Sequence, residues 1–372
     1  MPLWSPFLLC LACLCCTAAQ AEVILPTSDA QVIERLPPAT RVGNSADPVS
    51  ATRDANALLD EARRQGDPRL AGRALARLAR WQNDPNAAPE LVITLASVEQ
   101  YIHQFERAIA RLQALVQRDP AQPQAWLMLA TLRRVQGRYA ESDAACTQVG
   151  RTTAPPYGPA CLAENAGLRG DFDAARQALS ALRARFPSPA MRGWLSTTLA
   201  ELEERAGRPE AAEAAWRDVL ASSPDGYALI GWADFLIAQG RPQEAWAALQ
   251  APSSDERRND NVLLRLAIAA RRAHRPEAKA LHAELRERFA LADLRPESGG
   301  HERERALAAL DLDDKPRAAL ALAKQNATWQ REPIDLMILA RCALAAGDVA
   351  AQAQARAIAA EVGMLDARRP GG

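Results

Sequence analysis

Residues 126–139 read WLMLATLRRVQGRY, an apolar helical stripe that stops at Gln136-Gly137 and resumes after Tyr139 with AESDAACTQV. Glycine just past a helix end takes the left-handed conformation at no steric cost, so Gly137 reads as the stop between two helices. The same punctuation returns as QGDP at 65–68, RGDF at 169–172, AGRP at 206–209, QGRP at 239–242, AHRP at 273–276 and AGDV at 346–349. Taking Gly66, His103, Gly137, Gly170, Gly207, Gly240, His274, Asp314 and Gly347 as the turn residues, the spacing is 33–40 residues throughout. A period of that size marks a stack of supersecondary units, each burying its apolar face against its neighbours.

The residues around the turn fit a helical hairpin. Pro68, Pro209, Pro242, Pro276 and Pro316 stand where a second helix opens and a missing N–H is harmless. Alanines recur seven positions before the turn (Ala130, Ala163, Ala200, Ala233, Ala267) and five after it (Ala71, Ala108, Ala175, Ala212, Ala245, Ala319), letting paired helices cross closely. Leucines at helical spacing, such as Leu75 with Leu78 and Leu112 with Leu115, supply the buried seam.

Trp126, Leu129, Ala130, Gly137 and Tyr139, with Asp119-Pro120 closing the preceding unit, resemble the tetratricopeptide repeat, and the resemblance extends over about residues 52–365. It implies an all-α, right-handed α-solenoid of about nine helix-turn-helix units, in which the first helix of each unit lines a concave groove. Composition agrees. The chain is 48% apolar but 5% aromatic, and no run alternates for long enough to suggest a sheet. Its formal net charge is +0, which removes any general electrostatic case for nucleic acid or an anionic membrane.

The two ends read differently. Leu8 to Thr17 is a short apolar run, and Ala19-Gln20-Ala21 before Glu22 has the small-x-small form of a cleavage site, so residues 1–21 are expected to be a signal peptide and the mature chain periplasmic or otherwise exported. The run is too short to span a bilayer, and lipid anchoring at Cys13 or Cys16 is the weaker alternative because Cys stands three residues before each. Residues 22–51 are rich in helix breakers, with a capping-box pattern at Ser28 and Gln31, and read as an extended segment or cap. Irregular stretches from Pro252 to Asn261 and from Pro296 to Gly300 interrupt the repeat, and residues 366–372 read as a disordered tail.

Cleavage would leave Cys146, Cys161 and Cys342. The first two fall on packing-neighbour helices of successive units, so an oxidising compartment would join them, the alternative being two buried thiols in an alanine-rich core. For catalysis the inventory is poor: His301-Glu302 opens an HExxR string with Arg305 where a zinc hydrolase needs histidine, and no phosphate loop, nucleophile elbow or Cys-x-x-Cys spacing remains. No cofactor, catalytic residue or metal ligand set is expected, and the turn histidines His103 and His274 read as structural.

Across units four to six, with first helices starting near Pro156, Gly193 and Gly226, the second positions are Tyr157, Trp194 and Tyr227 and the ninth are Glu164, Glu201 and Asp234. Seven residues separate the two positions, so they share a helical face, aromatic beside acidic. The face continues as Arg265 and Arg271, then His301 and Glu304. This stripe is the expected ligand groove for a peptide segment or partner protein, with the acids pairing to Arg205, Arg265 or Arg305 as the alternative. A small-ligand or metal site near His301 and Glu304 is the second functional reading. Finally, His301-Glu302-Arg303-Glu304 with Asn326, Gln330-Arg331-Glu332-Pro333 and Asp335 resembles a group of exported bacterial tetratricopeptide proteins, in which tryptophan directly follows the asparagine; here Ala327 follows and the tryptophan is Trp329.

Overall fold

A computed structural model describes residues 47–222, 225–250, 259–294 and 301–368, all within one compact unit. The expectations for residues 1–21, for residues 22–46 and for the stretches 252–258 and 296–300 lie outside these residues. Eighteen α-helices run through the described residues, in consecutive antiparallel pairs. The pairs are α1 (Pro48–Gln65) with α2 (Pro68–Leu78), α3 (Pro89–Tyr101) with α4 (Phe105–Arg118), and α5 (Pro123–Val135) with α6 (Tyr139–Thr152). Next come α7 (Tyr157–Leu168) with α8 (Phe172–Arg185), α9 (Pro189–Arg205) with α10 (Pro209–Ser222), and α11 (Gly226–Ala238) with α12 (Pro242–Gln250). The last are α13 (Asp260–Arg272) with α14 (Ala278–Asp293), α15 (Glu302–Asp311) with α16 (Pro316–Asn326), and α17 (Pro333–Ala345) with α18 (Val349–Glu361). The chain is an all-α solenoid.

All nine turn residues have positive φ, from 53° at His274 to 96° at Gly170. Six are glycine; His103, His274 and Asp314 hold the same conformation against their Cβ atoms, a strain on the order of 1 kcal/mol each. Aspartates and one serine seal many helix starts: Asp47, Asp67, Ser188, Asp225 and Asp348 each accept a hydrogen bond from the first turn. Pro276 departs from the expected pattern, since α14 begins two residues later at Ala278. Every alanine flagged at the two small positions is buried, from Ala71 and Ala108 through Ala319.

The stack does not stay open. The C-terminal units return across the inter-helix turns of the early ones. The Arg331 N–H donates to Val135 O at 2.7 Å, Leu365 N–H to Leu168 O at 3.0 Å, and Ala367 N–H to Arg205 O at 2.9 Å. Val135, Leu168 and Arg205 are equivalent, each two residues before its turn glycine, and their carbonyls belong to helix ends that lack an intrahelical partner. The glycines make room: a Cβ at Gly137 would stand 2.6 Å from Val362, and one at Gly170 would stand 2.3 Å from Leu365. Tyr139 and Leu168 accordingly share a hydrophobic core with α13 to α18. Further along the same seam His103 meets Trp329, ring centroids 5.1 Å apart, and Asn259 donates to Arg63 O at 3.2 Å.

Of the disordered tail expected at 366–372, residues 366–368 are described, and they are packed rather than free. Asp366 is buried, Arg368 forms an ion pair with it at 2.7 Å and another with Glu204, and ordered chain continues through Arg368.

Cys146 and Cys161 are disulfide-bonded, with Cα atoms 5.6 Å apart, and Cys342 is a buried free thiol. The bond joins α6 to α7 beside a buried network in which Asn165 Nδ2 donates to Ser142 Oγ at 2.8 Å. A closed loop of 15 residues corresponds to roughly 3 kcal/mol in the chain-entropy treatment. Reduction should therefore lower the unfolding free energy read from urea denaturation by about that amount, and a Cys146→Ala, Cys161→Ala variant should be insensitive to reductant. Equal midpoints with and without reductant would remove the bond from the stability account.

Candidate functional site

The groove face is built by α5, α7, α9 and α11, first helices of successive units. They enclose a cleft of about 410 Å³ lined by Arg134, Glu164, Trp194, Thr197, Glu201 and Tyr227 among others. Helical spacing explains the assembly: Trp194, Thr197 and Glu201 follow one another at three and four residues along α9, so one face carries all three. Tyr157 leans on Trp194, ring centroids 5.7 Å apart, and the two form an aromatic wall.

The acids of the stripe are engaged. Glu164 lies 3.1 Å from the Arg134 guanidinium, and Asp234 accepts from Arg265 Nη2 at 3.0 Å, with Arg265 itself buried. Glu201 accepts from the Tyr227 hydroxyl at 2.6 Å. Burial pushes the Glu201 carboxyl up to about 7, against the pull of Arg205 and the Tyr227 bond, with Glu164 and Glu204 adding repulsion. The Glu201 charge beside it holds the Tyr227 hydroxyl well above its ordinary value, so it remains a donor. At neutral pH the cleft floor is thus a half-ionised carboxyl held by a phenol.

A carboxyl raised from 4.5 to about 7 has a defined effect on stability. Below the unfolded value both states are protonated; between the two values the unfolded chain releases a proton that the folded chain keeps, so stability falls as pH rises and levels off above the folded value. Glu201→Gln should remove this slope. After discounting for partial solvent contact, the variant should match the wild type near about pH 4 and exceed it by roughly 1–2 kcal/mol near about pH 8. Urea unfolding at both values reads this directly, and a pH-independent difference would show that Glu201 is not the titrating group.

The tetratricopeptide repeat family matches residues 93–149 and 197–256, which are α3 to α6 and the hairpins of α9 to α12 that form most of this face. Over those two stretches the chain carries tetratricopeptide repeats. No curated protein sequence matches it. Solved structures similar to it include a tetratricopeptide repeat protein from Parabacteroides merdae, at 15% identity over 59% of this chain and 86% of that one, TM-score 0.47. A thermophilic tetratricopeptide protein of Thermus thermophilus is 21% identical over 51% of this chain and 100% of that one, TM-score 0.41. The human IFIT1 dimer with PPP-AAAA is 14% identical over 85% of this chain and 73% of that one, TM-score 0.48.

In this repeat protein the remaining stripe residues divide. Arg271 departs from the expected face: its guanidinium donates to Asp311 O at 3.1 Å and to Leu312 O, and pairs with Asp314, so it caps the end of α15. His301 and Glu304 stand at the seam, where the His301 and His103 rings are 6.4 Å apart and Glu304 acts electrostatically on His103. Burial lowers His103 to about 4 and keeps its imidazole neutral. Among the described residues no group of three or more His, Cys, Asp or Glu side chains could hold a metal ion. Arg305, a proposed partner for the groove acids, pairs instead with Asp293 at 2.6 Å. Arg134 and Thr197 were not singled out in the sequence; Thr197 was findable, lying one turn before Glu201, whereas the role of Arg134 depends on a partner in the next repeat.

The C-terminal string from His301 to Asp335 has a structural use. Asp335 is buried and accepts from Arg303 Nε at 2.6 Å, from Asn326 Nδ2 at 2.6 Å and from the Glu332 N–H at 2.9 Å. Glu332 also accepts from Arg303, at 2.6 Å. With Arg331 bonded to Val135 O, this cluster fixes the start of α17 against the early repeats.

Proposed function

We propose that the chain is an exported scaffold that holds an extended segment of a partner protein in the groove formed by α5, α7, α9 and α11. Tetratricopeptide repeats are protein-interaction scaffolds, and no described helix is long and apolar enough to cross a membrane. The observation that carries the reading is the cleft with its aromatic wall: Tyr227 is 63% exposed and Tyr157 36% exposed beside Trp194, large rings left open to solvent where the acids are already engaged. Such rings are the usual anchors of a bound chain. Export rests on the apolar run and Ala-x-Ala pattern ahead of Glu22, and the Cys146–Cys161 bond accords with it.

A photo-crosslinking residue placed at Thr197 should capture one discrete partner segment in cells, and the same residue at Arg217 on the outer helix α10 should not. Trp194→Ala should then weaken affinity for that synthesised segment by about 2 kcal/mol, roughly 30-fold. Capture at both positions alike would sink the groove reading, and a native chain that does not begin at Glu22 would sink export with that cleavage. The alternative of a small-ligand or metal site at His301 and Glu304 has less support, since among the described residues no group of three or more His, Cys, Asp or Glu side chains stands there to hold a metal ion.

A further inference from the structure

The charged and aromatic residues that line the cleft are Arg134, Glu164, Trp194, Glu201, Asp225 and Tyr227. Three carboxylates therefore share one guanidinium, and that guanidinium is spent on Glu164 at 3.1 Å. The other two acids have neutral partners. Asp225 accepts from the Ala228 N–H at 2.8 Å, and Glu201 accepts from the Tyr227 hydroxyl at 2.6 Å; neither has an arginine, lysine or histidine within ion-pair distance among the described residues. The cation acting on Glu201 is Arg205, one turn further along α9 and outside the cleft lining. Its pull does not offset burial, with Glu164 and Glu204 adding repulsion, so the carboxyl stays up at about 7. The cleft is open to a cation.

Geometry says which cation fits. The Tyr227 hydroxyl occupies Glu201 Oε1, and no other described group bonds this carboxylate, so Oε2 is its open acceptor. A guanidinium fork gains most from two free oxygens, whereas a compact ammonium needs one. Trp194 stands seven residues before Glu201 on the same face of α9, roughly 10 Å along the axis. A four-carbon stem bridges that interval with its methylenes on the ring and its charged head at the carboxylate. The Tyr227 ring, 63% exposed and tied to Glu201 by its hydroxyl, borders the same place, and aromatic faces attract cations.

We propose that the cleft takes a lysine side chain of the bound segment, with its methylenes against Trp194 and its ammonium between Glu201 Oε2 and the Tyr227 ring. This rests on the groove reading above and names the residue that the segment presents there. The ammonium supplies the counter-charge that the lining lacks and leaves Arg134 with Glu164. It also favours the ionised form of Glu201, so binding and loss of the Glu201 proton are linked, while lysine itself stays charged across this range. The other groups around Glu201 are committed elsewhere: Glu164 to Arg134, Asp225 to its cap, and Glu204 to Trp216 and Arg368. Tyr227 is held well above its ordinary value.

Calorimetric titration of the full chain with end-blocked alanine pentapeptides carrying lysine, acetyl-lysine or arginine at the centre, at low ionic strength, tests it. The lysine peptide should bind saturably and at least about tenfold more tightly than the acetyl-lysine peptide, which keeps the stem and loses the charge. Its affinity should rise by up to about tenfold from about pH 6 to about pH 8, as Glu201 ionises. Glu201→Gln keeps an acceptor for Tyr227, and should bring the lysine peptide down to the acetyl-lysine level and abolish the pH dependence. No saturable binding of the lysine peptide, equal affinity for the lysine and acetyl-lysine peptides, or full-strength binding by Glu201→Gln overturns the proposal, and tighter binding of the arginine peptide overturns the choice of an ammonium. The peptide pair decides without any variant. A segment captured at Thr197 that contains no lysine overturns this inference and leaves the groove reading standing.

Discussion

Asp335→Ala should cost about 3–5 kcal/mol and release α17 from the early repeats, the range expected when one partner of a buried ion pair is deleted and the other is left uncompensated. Arg303 loses two charge-assisted bonds to Asp335 and keeps only Glu332, while Asn326 loses its acceptor and the Glu332 N–H its cap. Asp335→Asn preserves an acceptor oxygen at that place and should cost less. The seam gives a second readout, because the Arg331 N–H bonded to Val135 O should exchange faster with deuterium in the alanine variant. If Asp335→Ala costs under about 1 kcal/mol, the cluster is ornamental and the hydrophobic contacts of α17 hold the seam alone.

Gly158→Val should be more damaging still, on the order of 4 kcal/mol or more, and should reduce soluble yield. A Cβ at residue 158 would stand 2.6 Å from the Gly150 Cα and N and 3.2 Å from the Cys146 carbonyl, all backbone atoms that cannot turn aside. Here α6 and α7 touch backbone to backbone, next to the disulfide. Gly72 in α2 is the control, because nothing stands within 4 Å of its Cβ position. Gly72→Ala should raise stability by roughly 0.5–1 kcal/mol through helix propensity. Should Gly158→Ala behave like Gly72→Ala in chemical denaturation, the close approach of the two helices is not what the structure depicts.

Much of the fold was legible because it is local and repeated. Nine turns at Gly66 through Gly347 share one backbone requirement, and even His103, His274 and Asp314 were found by spacing where residue type misled. The alanine positions and the Cys146–Cys161 pair follow from neighbouring units, whose contacts a period in the thirties encodes. The seam was not legible, for its bonds join residues as distant as Asn259 and Arg63, and no repeat period carries the rotation that brings a ninth unit back to a third. The string from His301 to Asp335 stood out in the sequence, yet only the structure shows that its acid and arginine serve that closure. In the groove, the face shared by Tyr157, Glu164, Trp194, Glu201, Tyr227 and Asp234 was readable from helical spacing. The partner of each acid was not, since Arg134, Arg265 and Tyr227 each reach across from another repeat.

An open helical stack tolerates changes in its length, because a unit added or dropped leaves every other neighbour contact intact. This one has a count. The bonds at Val135, Leu168 and Arg205 require Arg331, Leu365 and Ala367 to arrive at three successive turns in step, and losing one internal unit would rotate the whole returning arm past its footholds. Repeat number, usually the freest variable in such an architecture, is here tied to a closed circuit, in which the early turns cover the last described unit.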